Sequence, residues 1–548
     1  MNKKIIWPIL VVLVILAGFF VRVVGLDKSP PSLGFDEAAL GYNAYSLMET
    51  GKDECGNKLP LTLRSFNDYK PALYAYLIIP FYKIFGVSDQ AVRLPSAVAG
   101  TVSLIFSFLL LKIFIKNKYL LLGIFILIAF QPWRLHFSRN ALETNLSASF
   151  FLIATWLLIL AKTRFRVLLS VLFLGLSAYS YHSARLAGPA LLLLWALDPL
   201  SWIKKKKISL KFSRLLYLTL LVVICLPILI ANNSQLVLTR FRQENVFNKF
   251  YPYAPKELLD INGSMAYFLI GRLVGNVSAY ISPINLNNRI FHWVRGSPQY
   301  IPGMSMLGWI EGIMVLFGVV YLIKRFENSK PTRIIIYWLV AGIAPAASTW
   351  TWFHPFRSLN IFPALEILSG LGIVVSINYI DSKIKTRLLK YGWKFVFSMV
   401  LGVSLVFNVN NELRYSPYLN YGEYQPGGFK EGMPYFAGLI KDYHHVIIDS
   451  PHAQNYIFFL FYGQIKPELV QSYAYLRPKP GIEGNLNFNF NKYEFRKVDW
   501  PVDSKLTNTL FWTRPDITDE EILRVDGAKI EMKVSNILYE TAKIITTK

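Results

Sequence analysis

The sequence predicts an α-helical multi-pass membrane protein of about eleven transmembrane helices, with a C-terminal extracytoplasmic α/β domain. Three observations predict it. Only 17% of the 548 residues are charged against 53% hydrophobic, and mean hydropathy is +0.36, whereas soluble chains carry about 25% charged residues. Eleven apolar runs are long enough to span or nearly span a bilayer. Lysines and arginines gather in every second connection between those runs, the signature of fixed topology.

The first run, Ile5 to Val24, stands behind Lys3 and Lys4. No small-residue cleavage site follows it, so a retained helix is expected rather than a signal peptide. The other runs are Leu94–Leu111, Leu120–Trp133, Ala141–Ala161, Val167–Tyr181, Ala187–Ile203, Leu215–Ala231, Met304–Ile323, Ile334–Trp350, Leu359–Ile380 and Trp393–Phe407. The basic connections hold 22 lysines and arginines against two acids, Glu327 and Asp381, so they carry +20 of the formal net charge of +24. The charge therefore reads as topology and not as nucleic-acid affinity. It predicts a plasma-membrane protein with a cytoplasmic N-terminus and an outer C-terminal domain. Domain boundaries are expected at 1–409 for the membrane domain, with outer loops 27–93 and 232–302, and at 410–548 for the tail.

In the first outer loop, Pro71–Phe85 is too short to span and reads as an interfacial helix. Arg134–Asn140 reads as a short outer loop. In the tail, His445–Ile448, Leu469–Tyr473, Phe495–Val498 and Thr509–Trp512 read as strands around a helical Ala453–Tyr462. Cys55 and Cys225 belong to segments of different membrane depth and are expected to remain free thiols.

Chemistry is expected on the outer face. Asp36 and Glu37 open a helix that begins near Asp36 and stops at Gly51. Two carboxylates there complement the helix dipole, and equally supply a general base for an acceptor hydroxyl. Lys70, before the interfacial helix, either snorkels or neutralises a lipid-borne phosphate. Glu143 starts a membrane helix, where a carboxylate is expensive; its alternative role is pairing with Arg139. His354 and Arg357, in a short loop with Trp350 and Trp352, suit a phosphate as well as an interfacial belt. No P-loop, GxGxxG or HExxH pattern is present.

Taken in order, Phe35-Asp36-Glu37-Ala38, Asp68-Tyr69-Lys70-Pro71, Val92-Arg93-Leu94-Pro95-Ser96, Gln131-Pro132-Trp133, Ser138-Arg139 and His354-Pro355-Phe356-Arg357 resemble the lipid-carrier-dependent glycosyltransferases of the GT-C fold. These are relatives of glycosyltransferase family 39, which includes protein O-mannosyltransferases and bacterial aminoarabinose transferases. The resemblance covers roughly the first 400 residues. It implies transfer of a monosaccharide from a polyprenyl-phosphate carrier to a hydroxyl of a protein, lipid or envelope glycan, with inversion. It also implies Asp36, Glu37 and Glu143 as catalytic carboxylates, and Lys70, His354 and Arg357 at the donor phosphate. Aminoarabinose transferases carry a metal-associated glutamate directly before that lysine. Here Tyr69 occupies the place and Asp68 lies one residue further back, so a divalent metal stays an open question with Asp68 its candidate ligand. The expected partners are the lipid-linked donor, membrane lipids and the acceptor, with no nucleic acid. A transporter for lipid-linked glycans is the alternative reading.

Overall fold

The computed structural model of the chain describes residues 3–66, 68–198, 209–231, 273–280, 306–349, 354–415, 428–450, 454–476, 489–536 and 539–548. Of the segment expected as the second long outer loop, only 273–280, a helix, falls within them, and Trp350 and Trp352 lie outside. Two compact units emerge. One contains Met1–Val24, Pro95–Trp293 and Gln299–Leu413; the other contains Gly25–Leu94 and Arg414–Lys548. The segment expected as the first outer loop is thus part of the same unit as the tail.

In the first unit the helices are α1 (Lys3–Val23), α4 from Pro95 onward (whole helix Asp89–Phe114), α5 (Lys118–Ala129), α6 (Pro132–Arg139), α7 (Glu143–Ile159), α8 (Arg164–Ser180), α9 (Ala184–Ala196), α10 (Ser209–Ala231), α11 (Trp309–Arg325), α12 (Lys330–Ala347), α13 (Phe362–Lys383) and α14 (Arg387–Asn410). Each predicted span coincides, in its described part, with one of them, except Leu120–Trp133, which runs through α5 into the first turn of α6. By length and hydropathy, four helical stretches among the described residues suffice to cross a membrane: Ile6–Val23, Asp89–Phe114, Pro355–Lys383 and Arg387–Arg414. The pair α5 and α6, bent by 45°, makes a fifth. That bend corrects one expectation. Arg134–Asn140 is not a loop, because Pro132 sits in the first turn with its ring already set for helix and starts α6.

Two buried arginines of this unit find their acceptors within it. Arg134 donates to both oxygens of Glu366 at 2.5 and 2.6 Å and to the Ser103 and Ser107 hydroxyls. Arg22 donates to the carbonyls of Gly18 and Ala129. Helices α11 and α13 approach through glycines: a Cβ on Gly318 would lie 2.0 Å from the Leu368 carbonyl oxygen, and one on Gly372 would lie 1.9 Å from that of Met314. Small residues let backbones this close pack where lipid offers no hydrophobic drive.

The second unit opens with α2 (Phe35–Thr50), then the hairpin β1 (Thr62–Ser65) and β2 (Asp68–Pro71), and α3 (Leu73–Phe85). The expected stop at Gly51 holds: its backbone is left-handed at φ 69°, and its N–H caps the Leu47 carbonyl. The tail adds α15 (Phe429–Leu439), β3 (His445–Asp449), α16 (Tyr456–Tyr462), α17 (Pro467–Ser472), β4 (Tyr493–Arg496), β5 (Thr509–Thr513), β6 (Ala528–Ser535) and β7 (Glu540–Thr547). The sheet runs β4-β3-β5-β7-β6, parallel at β4-β3-β5 and antiparallel beyond. Apolar side chains cover both faces. Ile447, Phe511, Ile545, Trp500 and Ile522 form one core, while Trp512 meets Phe429 and Phe436 on the other face. The α/β expectation holds, with one correction. Leu469–Tyr473 is not a strand, since Pro467 begins α17, followed by Glu468 in its first turn.

Candidate active site

Gly34 is the N-cap of α2, so Phe35, Asp36 and Glu37 occupy its first turn, where free N–H groups and the dipole favour carboxylates. The two acids diverge from there. Glu37 folds back, and its Oε2 accepts the Gly34 N–H at 2.9 Å, half of a capping box. Both its oxygens also take Arg93, Nε to Oε1 at 3.0 Å and Nη2 to Oε2 at 3.0 Å.

Arg93 spends its remaining N–H groups on three carbonyls: Nη1 donates to Leu26 and Pro30, each at 2.7 Å, and Nη2 donates to Ser32 at 2.6 Å. This matches the five donors of a guanidinium to five contacts. Glu37 and Arg93 are buried. They hold the turn from Leu26 to Gly34, and Glu37, expected beside Asp36 as a catalytic group, is engaged in that structure instead. Arg93 entered the sequence reading only as part of a motif; an arginine in the first turns of an apolar helix was the available signal.

Asp36 points the other way. Its side chain is 50% exposed and forms an ion pair with Lys70, which is 12% exposed. Lys70 is placed by the hairpin: β2 pairs antiparallel with β1, Lys70 opposite Leu63, and the turn passes through Phe66 at φ 56°. A left-handed phenylalanine is uncommon and marks a turn held by its surroundings. Phe66 packs edge-on against Phe35, the neighbour of Asp36, with ring centroids 6.2 Å apart. Helix start and hairpin are thus locked together, and a half-exposed carboxylate meets an ammonium. The pair combines a proton acceptor with an ammonium that has three donors.

The other expected residues belong to the first unit. Glu143 is the first residue of α7 and is buried. Arg139, its expected partner, donates to the carbonyls of Val21 and Val24 at 2.6 and 2.8 Å and faces Glu412 at 3.8 Å. His354 caps a short helix, Pro355–Ser358, that contains Arg357, and its N–H donates to the Tyr280 hydroxyl at 3.0 Å. Asp68 opens β2 opposite Ser65. Among the described residues no group of three or more His, Cys, Asp or Glu side chains converges to hold a metal ion.

These features define a class, a multi-helix membrane protein with an acid–ammonium pair mounted on its first large loop. Comparison makes the fold specific. Residues 69–230 match the family model described as Dolichyl-phosphate-mannose-protein mannosyltransferase. Crystal structures of ArnT from Cupriavidus metallidurans superimpose with TM-scores of 0.55 in the apo state and 0.56 bound to undecaprenyl phosphate. Identities are 12% and 13%; coverage is 99% and 98% of this chain and 98% of each ArnT chain. The archaeal oligosaccharyltransferase AglB from Archaeoglobus fulgidus, in complex with an inhibitory peptide and a dolichol-phosphate, matches with a TM-score of 0.52 and 12% identity, over 84% of this chain and 64% of its own. A search of curated proteins gives no match. The chain has the GT-C fold, as the order of its motifs implied.

Proposed function

We propose that the protein is a membrane glycosyltransferase that moves a monosaccharide from a polyprenyl-phosphate carrier to a hydroxyl acceptor on the outer face of the plasma membrane, with inversion. The observation that carries this reading is the Asp36–Lys70 ion pair at the start of α2, with one partner half-exposed. The GT-C fold and the matched family model support it.

The reaction is a single in-line displacement. The acceptor oxygen attacks the anomeric carbon, its proton passes to the Asp36 carboxylate, and the bond from that carbon to the phosphate oxygen breaks with its electron pair leaving on the phosphate. Lys70 turns its ammonium from Asp36 to the departing phosphate, so the same movement frees the base. Phosphate is a good leaving group, and charge neutralisation and positioning therefore dominate over acid catalysis. Glu143, His354 and Arg357 keep the roles implied by the motif resemblance: Glu143 as a further carboxylate, His354 and Arg357 at the donor phosphate. The acceptor is a protein, a lipid or an envelope glycan.

The test is sugar transfer from a polyprenyl-phosphate monosaccharide by the full chain and by Asp36→Asn and Lys70→Ala variants that still insert. Each variant loses about 10²–10³ in rate, the usual effect of removing one transition-state contact. Rates for both within a few-fold of wild type overturn the assignment.

A further inference from the structure

The tail has no part in the chemistry described so far, yet its side chains terminate on the elements that carry Asp36 and Lys70. Leu33 N–H, three residues before Asp36, donates to the Tyr462 hydroxyl of α16 at 3.0 Å. That hydroxyl in turn donates to Asp89 Oδ2 at 3.3 Å. Lys430, at the start of α15, pairs with the same Asp89 oxygen at 2.9 Å and donates to the carbonyls of Pro31, at 3.2 Å, and Asp27. Burial first, then the nearby Asp89 carboxylate, pushes the Tyr462 hydroxyl well above its usual pKa. It therefore stays protonated at physiological pH, accepting from Leu33 while donating to Asp89.

A second set of contacts reaches the same two elements independently. Phe458 of α16 lies 4.9 Å, centroid to centroid, from Phe35, and Tyr456 lies 5.9 Å from Phe66 at the hairpin tip before Lys70. One tail helix thus touches the residue next to Asp36 and the turn that presents Lys70. Farther along α2, the Tyr42 hydroxyl donates to the Ile465 carbonyl at 2.9 Å, and Gln471 Nε2 donates to Ser46 Oγ at 3.0 Å and Thr50 Oγ1 at 2.9 Å. A Cβ on Gly41 would lie 2.7 Å from the Phe461 ring, so α2 is seated directly on α16.

We propose that the C-terminal domain is a positioning device for the Asp36–Lys70 pair, with Tyr462, Lys430 and Tyr456 as its positioning residues. The inference rests on the transfer reaction proposed above. It extends that reading by giving the tail a role in the catalytic rate rather than in donor capture. A displacement of about 1 Å in a reacting group costs on the order of 10²-fold in rate. Removing a single tail contact, which loosens without unseating, is expected to lower kcat about tenfold and to leave KM for the lipid donor within about twofold.

The experiment uses the full chain in lipid nanodiscs, with Tyr462→Phe, Lys430→Met and Lys430→Arg variants and two readouts. Hydrogen exchange reports whether residues 33–40 and 62–65 loosen while α7 keeps its protection; steady-state transfer reports kcat and KM separately. The expected result is faster exchange in those two segments for Tyr462→Phe and Lys430→Met, a fall in kcat alone, and recovery of both in Lys430→Arg, which retains the charge and its donors. Unchanged exchange overturns the clamp. Faster exchange with kcat within twofold of wild type overturns its role in positioning, and a rise in KM at constant kcat overturns it in favour of donor binding. Wild-type protein that transfers no sugar refutes the transfer reading and the kinetic half of this proposal, while the exchange arm still decides whether the tail holds the loop.

Discussion

The Glu37–Arg93 pair sets the entry to α2, and Arg93→Met tests how much depends on it. Arg93 makes five N–H contacts of 2.6 to 3.0 Å, two to Glu37 and three to the carbonyls of Leu26, Pro30 and Ser32. Methionine keeps the apolar stem and removes every donor. Glu37 keeps the Gly34 N–H but loses the guanidinium, and its charge stays buried. Removing one partner of a buried ion pair typically costs about 3–5 kcal/mol. Three carbonyls also lose their donors, but part of that loss is recovered where water enters, so about 3–5 kcal/mol stands as the expected destabilisation of this turn. At about 1.4 kcal/mol per factor of ten, exchange of the Ala38 N–H, which is bonded to the Gly34 carbonyl, should accelerate by about two to three and a half decades. The double variant Glu37→Met, Arg93→Met removes both charges and should recover at least a decade, because a buried pair is often replaceable by apolar side chains. The assay is exchange mass spectrometry on full-length protein in nanodiscs. Exchange in Arg93→Met within threefold of wild type refutes the reasoning, as does a double variant that exchanges as fast as the single one or faster.

Three further outcomes follow from the same geometry. Asp36→Asn should slow transfer by about 10²–10³ with little change in stability, since its side chain is half-exposed, whereas Glu37→Gln should lower stability first; paired rate and melting measurements separate them. Gly372→Ala places a methyl against the Met314 carbonyl and should destabilise the first unit by about 1–3 kcal/mol or more, read as earlier thiol labelling of the buried Cys225 on heating in a Cys55→Ser background. In the tail, burial raises the Asp503 carboxyl, but two 2.8 Å bonds from Arg496 and the Asp499 N–H outweigh it and hold it below the usual range. A depressed carboxyl stabilises the fold above its unfolded pKa of about 3.9 and loses that contribution as pH falls through the folded value. Wild-type protection at β5 should therefore drop below about pH 4, with a shallower drop in Asp503→Asn.

Much of this architecture was legible in local sequence. Hydropathy located the helices, and Gly51 stopped α2 where a left-handed glycine was expected. Strands β3 and β5 showed as short apolar runs, and both are buried from their second residue onward. Strands β6 and β7 escaped notice: Ala528–Ser535 is half-exposed and mixes Lys and Glu with apolar residues, which hides its period. Leu469–Tyr473 has the composition of a strand, and only the preceding proline reveals the helix.

At the site, Asp36 and Lys70 were visible because each stands beside a structural break, a helix start and a helix approach. The division of labour between Asp36 and Glu37 was not, since it depends on Arg93, 56 residues away. The tail contacts were further out of reach: Tyr462 meets Leu33 across 429 residues, and Lys430 meets Asp27 across 403. No local periodicity encodes such pairings. The buried Arg134–Glu366 pair likewise joins residues 232 apart. Charged groups within the spans were expected of a transporter, but this pair is satisfied internally.

The most direct test follows a labelled polyprenyl-phosphate monosaccharide through proteoliposomes containing the full chain and an envelope extract as acceptor. The account predicts that sugar and carrier part company: free polyprenyl phosphate accumulates in step with labelled acceptor, and Asp36→Asn slows both by about 10²–10³. Passage of the intact lipid-linked sugar from one leaflet to the other, with its sugar–phosphate bond unbroken, contradicts it.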